Sequence, residues 1–71
     1  MEEGYTGKIV HLNEKGYGFI SVVGIEPSVF FHAKDVRHVR YEQLRKGDKV
    51  SIGSIVNNDK GYTANDVFLV S

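Results

Sequence analysis

The chain has 71 residues, nine Lys plus Arg against nine Asp plus Glu, a formal charge of zero and no cysteine. That length holds one small domain, read here as residues 1–71. The missing cysteine excludes disulfides and thiolate metal sites, and the balanced charge excludes the broad basic excess of many stand-alone nucleic-acid binders. No apolar run approaches the ~20 residues that span a bilayer, and "MEEGYTG" does not read as a basic-then-apolar leader. A cytoplasmic protein without a membrane partner is expected.

Eight glycines cut the chain into short β-rich runs. In chain order these are "KIVHL" (8–12), "YGFISVV" (17–23), "SVFFHA" (28–33), "KVSIGSIV" (49–56) and "YTANDVFLV" (62–70). Short strands separated by turn signals predict a small all-β barrel or sandwich. "VGIEPS" (23–28) reads as a turn with Pro27 ahead of its strand, and "NNDKG" (57–61) as a hairpin turn, because Asn, Asp and Gly tolerate left-handed backbone. The longest connection starts at residue 34. Its "DVRHVRYEQLRKG" allows a helical turn with Val36, Val39 and Leu44 facing inward. Residues 34–49 also hold six basic side chains (Lys34, Arg37, Arg40, Arg45, Lys46, Lys49) against three acidic ones (Asp35, Glu42, Asp48). That segment is either a solvated connection or a basic rim beside a binding face.

Alternation along strands separates the two faces. On the second and third runs, Ile20, Val22, Val29, Phe31 and Ala33 share a parity with no polar member. Tyr17, Phe19, Phe30 and His32 share the other, which runs out into Ser21 and Lys34. A core face excludes unpaired polar groups, so the aliphatic parity is expected inside and the rings outside. An exposed apolar patch usually marks an interaction site. Three uses compete for this one: burial under the 34–47 link as a second core, a protein-interaction surface, or a stacking platform for bases. Flat rings on an open sheet suit the last, at roughly 1–3 kcal/mol per stacked base.

These residues carry a resemblance. "KGYGFI" (15–20) resembles the first ribonucleoprotein motif of the cold-shock domain, K-G-F-G-F-I, and "VFFHA" (29–33) resembles the second, V-F-V-H-F. "TGKIVHLN" (6–13), "LRKGDKVSI" (44–52) and "KGYTANDV" (60–67) are similar to that family's first strand, its L-x-x-G-x-x-V-x-F segment and its last hairpin. The resemblance covers nearly the whole chain in order. It implies a five-stranded antiparallel OB-type β-barrel that binds single-stranded RNA or DNA and acts as an RNA chaperone. It implies neither enzyme activity, cofactor nor small-molecule substrate. Carried over position by position, it assigns base stacking to His11, Tyr17, Phe19, Phe30, His32 and Tyr41, the last as a mobile flap. Polar contacts fall to Asn13 and Lys15, and a nucleotide contact to Tyr62 and Thr63. Lys8, Lys15, Lys34, Arg37 and Arg40 are candidates to attract phosphates.

The departures predict weaker binding than in typical members. Val10-His11-Leu12 stand where the family has Lys-Trp-Phe, Ala33 replaces a Phe, and the turn between Asn13 and Lys15 is one residue shorter. Losing two or three stacking surfaces removes ~1 kcal/mol or more each. A neutral chain also gains less from counterion release. The alternative is a protein-interaction module that kept the fold and lost the ligand. An S1-like RNA-binding module is a second rival, opposed by the "KGYGF" and "VFFH" doublet. His11, His32 and His38 also invite a metal or two-histidine ribonuclease reading, with His11 placed as a cross-sheet neighbour of His32 and Glu14 as a carboxylate. Their spacing favours neither.

Overall fold

The computed structural model describes residues 4–59 and 61–70. Among the described residues there are six strands: β1 (Tyr5–Asn13), β2 (Tyr17–Val22), β3 (Ile25–His32), β4 (Val36–Arg37), β5 (Lys49–Asn58) and β6 (Gly61–Leu69). The five long ones form the expected barrel. β1 pairs antiparallel with β2 and β5, β2 with β3, and β5 with β6. Parallel pairing of β3 with β6, at Val29–Tyr62 and Phe30–Thr63, closes the ring. Each long strand thus has a neighbour on both sides. Among the described residues no helix is long and apolar enough to cross a membrane.

The long link contains two 3-10 turns, Ala33–Asp35 and Tyr41–Gln43, and between them β4, which lies parallel to β6. Leu44 is buried by this link, and Val36 and Val39 pack against the core from its rim, as the sequence predicts. The turn ahead of β3 is shorter than expected, since β3 begins at Ile25 and Pro27 lies within it. The β2–β3 register slips between the pairs Ile20–Val29 and Val22–Ile25, and Pro27 falls on the segment between them. Irregular ladders are where a strand tolerates a missing N–H.

The core follows the alternation. Ile20, Val22, Val29 and Phe31 are buried, joined by Ile9, Leu44, Val50, Ile52, Ala64 and Val67. Burying a side chain of the Val, Ile or Phe class contributes roughly 1.5–3 kcal/mol. Ala33 lies just past β3 and is half-buried rather than core. Gly18 lets Phe31 into the centre. A Cβ at position 18 would sit 2.5 Å from the His11 carbonyl oxygen and 2.9 Å from the Phe31 ring.

Alternation alone fails on β1. Ile9 and His11 share a parity, yet Ile9 is buried and His11 exposed. The register slips between them, Ile9 facing Ile20 and His11 facing Phe19. The extra residue, Val10, is a β-bulge. It restores Leu12 to the core side and turns the His11 ring outward.

Candidate nucleic-acid interface

The outer face of β1–β2–β3 carries a contiguous set of rings. Pairing places His11 opposite Phe19, Phe19 opposite Phe30, and Phe30 opposite Thr63 of β6. A second row sets Asn13 opposite Tyr17 and Tyr17 opposite His32. The Tyr17 and Phe30 rings stack at 5.6 Å between centroids and 29° between planes. Phe19 meets Phe30 edge-on at 5.8 Å and Tyr17 edge-on at 6.3 Å, while His11 tilts against Phe19 at 5.8 Å. These are favourable aromatic geometries, worth ~0.5–1.5 kcal/mol per pair beyond area burial. They leave Tyr17, Phe19 and Phe30 half-exposed, held by one another and by the sheet beneath. None of the three is in the buried core cluster or among the hydrophobics packed against it.

Two further predicted residues join this face. His32 is exposed at the end of β3, and its Nδ1 accepts a hydrogen bond from the Lys34 backbone N–H at 3.2 Å. In the neutral ring that bond leaves the proton on Nε2, which is thereby presented as a donor. Thr63 lines a cleft of about 420 Å³ with Phe19, Phe30 and Asn58. Asn58 Nδ2 donates to Thr63 Oγ1 at 3.3 Å. Asn58 was not foreseen as a site residue. In the sequence it belongs to a turn signal, and only the pairing of β6 with both β3 and β5 brings it beside the rings. Lys8, Lys15 and Lys34 are exposed around the platform, Lys8 opposite Ser21.

Three predicted residues have other placements. Tyr41, expected as a mobile flap, is docked against the barrel in the structure. Its ring packs against core Phe31 at 6.0 Å, and its hydroxyl is fixed on the β1–β2 turn. That hydroxyl accepts from the Asn13 N–H at 3.1 Å and lies in donating range of two carbonyls, Asn13 at 2.7 Å and Tyr17. Burial pushes this phenol above its ordinary pKa of 10.0 and the nearby Tyr17 adds to the rise, while the Asn13 hydrogen bond opposes it. Asn13 uses its side chain locally, Oδ1 accepting from the Lys15 N–H at 2.8 Å. The turn closes with Gly16 donating to the Asn13 carbonyl at 3.0 Å, at a φ of +97° that favours glycine. Tyr62 faces inward opposite Val29, against the core, and only its neighbour Thr63 faces the rings.

The histidines are not gathered. His11 faces Phe19 and His32 faces Tyr17 on different rows, so the expected His11–His32 adjacency is not formed. His38 stacks on Phe68 at 5.4 Å elsewhere on the barrel. Among the described residues no group of three or more His, Cys, Asp or Glu is placed to hold a metal ion. Arg37 is ion-paired with Asp66, Nε to Oδ1 at 3.0 Å, and also donates to the Lys34 carbonyl. The Arg40 backbone N–H is bound by Gln43 Oε1 at 2.8 Å.

Comparison with known proteins agrees with this architecture. Residues 5–70 match the family described as the "'Cold-shock' DNA-binding domain". The chain is 36% identical over 70 residues to the cold shock-like protein CspB of Escherichia coli, covering 97% of each. It is 40% identical over 63 residues to the cold shock-like protein CspD of Bacillus cereus, covering 87% of this chain and 92% of that one. To the CspD of Haemophilus influenzae it is 32% identical over 59 residues, covering 83% and 81%. Among solved structures, the Drosophila Unr fragment "CSD456" superposes with a TM-score of 0.77 at 24% identity, over 99% of this chain and 28% of that longer one. That likeness bears on the fold, an OB-type β-barrel. The chain therefore belongs to the cold-shock domain family, whose members are nucleic-acid-binding proteins and not enzymes.

Proposed function

We propose that this protein binds single-stranded RNA or DNA by stacking bases on Tyr17, Phe19, Phe30 and His32, with His11 extending the platform and Thr63 at its far edge. One observation carries the reading: the rings form one contiguous set across neighbouring strands, stacked, tilted and edge-on against one another, held in place yet partly exposed. Selectivity for single strands follows, because bases in a duplex are already stacked and cannot lie on flat rings. A protein that holds strands open without chemistry favours melting of weak secondary structure, so chaperone-like action on RNA is part of the proposal. The whole of 1–71 acts as a single domain. The cytoplasm is its proposed compartment, supported by a sequence without cysteine.

Affinity lower than in typical members is part of the same reading. An imidazole at position 11, an aliphatic Val10 and a methyl at Ala33 offer less stacking area and less charge than the motif they resemble. Tyr41 is engaged through its hydroxyl, so it contributes by fixing the turn under Tyr17 rather than by closing on a base.

The test is an NMR titration of the labelled protein with oligo-uridylate and oligo-thymidylate. Ring and amide signals of Tyr17, Phe19, Phe30 and His32 are expected to shift together in saturable fashion, and those of core Val50 and Ile52 to stay. No movement at high micromolar strand sinks the proposal and leaves the protein-interaction reading.

A further inference from the structure

The platform has two ends, and their charges differ. At the Tyr41 end, a cleft of about 710 Å³ lies between the β1–β2 turn and the second 3-10 turn. It is lined by Lys15 and Arg40, but also by Glu14 and Glu42, so cations and carboxylates balance. At the other end the pairing makes a different surface. Lys8 of β1 is opposite Ser21 of β2 on one side and opposite Lys49 of β5 on the other. All three are on the outer face or its edge, with Lys8, Ser21 and Lys49 each half or fully exposed. Ser21 follows Phe19 by two residues, so this row adjoins the His11–Phe19–Phe30 row.

Like charges directly opposite one another across a ladder repel. Lys8 and Lys49 nevertheless form such a pair. The ion pair found among the described residues, Arg37–Asp66, lies elsewhere. The carboxylate next to Lys49 in sequence, Asp48, accepts the Arg45 backbone N–H at 2.9 Å. The 45–48 turn is itself bound to β1, Gly47 N–H to the Ile9 carbonyl at 2.7 Å and Ile9 N–H to the Asp48 carbonyl at 2.9 Å. The fold therefore brings Lys8, from a segment poor in cations, against the end of the basic 34–49 segment. In a chain of zero net charge, attraction for a polyanion must come from such local concentration.

We propose that Lys8 and Lys49, with the Ser21 hydroxyl, form a phosphate-binding site on the outer face of β1 and β5. A single strand leaving the rings past His11 continues across β1 towards β5, away from the Tyr41 cleft. The site rests on the platform reading above and extends it to a residue, Lys49, that the motif resemblance does not mark.

The experiment measures affinity for fluorescent oligo-thymidylates of about four and about eight nucleotides across 0.05–1 M salt. Wild type, Lys8→Gln, Lys49→Gln and Lys49→Arg are compared, with a thermal melt on each. Removing one phosphate contact lowers the log–log salt slope by about 0.7, or roughly eightfold in affinity at 0.05 M salt, fading towards 1 M. Lys49→Gln is expected to show that loss on the long strand only. Lys8→Gln is expected to show the same loss on the long strand only, and Lys49→Arg no loss on either strand. An oligo-cytidylate of the longer length should lose as much as the oligo-thymidylate, because a phosphate contact carries no sequence information. If wild type binds and Lys49→Gln leaves the long-strand slope unchanged, or weakens both lengths alike, the extension is overturned and the platform stands. If wild type binds neither strand, the platform reading itself falls and the extension with it.

Discussion

Phe30 and Phe31 are the same residue at adjacent positions with opposite fates. Phe31 is wholly buried among Val29, Ile20 and their neighbours, while Phe30 lies half-exposed between Tyr17 and Phe19. The difference comes from the period of the strand and from what lies beneath each ring. Gly18 faces Phe31 and gives it room, whereas Phe19 faces Phe30 and gives it an edge to lean on. One hairpin thus stabilises the barrel with one face and presents aromatic surface with the other. Stability and ligand affinity should therefore separate by parity.

The largest expected effect is on the inner face. Phe31→Ala should cost about 3–5 kcal/mol in chemical denaturation. A domain of this size holds roughly 4–10 kcal/mol in all, so the variant should be largely unfolded at modestly raised temperature. A melt close to wild type would break the comparison. On the outer face, Phe30→Ala should weaken binding to oligo-thymidylate by about 1–3 kcal/mol, roughly 5- to 150-fold, in a fluorescence titration. Its midpoint of unfolding should move much less than that of Phe31→Ala. If Phe30→Ala unfolds the protein instead, the platform is core after all.

Tyr41 sharpens the comparison because it touches both sides, its ring on Phe31 and its hydroxyl under the Tyr17 backbone. Tyr41→Phe keeps the ring and leaves the Asn13 N–H without its acceptor, at about 1 kcal/mol. If the hydroxyl is what matters, Tyr41→Phe should also lower strand affinity; if the ring stacked on a base, binding would survive this change and fail only in Tyr41→Ala. The smallest effect is on pH dependence. The folded state holds this phenol above 10.0, so its contribution is complete below the unfolded pKa and fades as pH rises through the folded one. The stability gap between wild type and Tyr41→Phe should narrow above pH 10 in urea titrations at stepped pH.

How much of this was legible depended on whether a residue's place is set locally. The faces of Tyr17–Ile20 and Val29–His32 are readable because alternation with no polar intruder on the inner side fixes register there. The bulge at Val10 is not, since Ile9-Val10-His11 carries no glycine or other local mark, and the slip appears only when β1 meets β2. For the same reason parity alone does not separate His11 from His32: both side chains face outward, but on different rows. Tyr41 matched an aromatic position by counting, which says nothing of a hydroxyl that finds two backbone carbonyls 24 and 28 residues away. Tyr62 and Thr63 are neighbours in the motif, and β6 divides them between inside and outside, as alternation requires. The two residues of β4 are too few to leave a pattern.

Closure of the ring by β3 and β6 has a colloidal consequence. A chain without net charge lacks the mutual repulsion that keeps most small proteins apart in solution. An open sheet of the same sequence would offer rows of unpaired amides as templates for its copies. Two residue pairs, Val29–Tyr62 and Phe30–Thr63, occupy part of the edges that β3 and β6 would otherwise offer. Crowding many copies together then leaves them less backbone edge to meet by, and one of those two pairs, Phe30–Thr63, anchors the aromatic face itself.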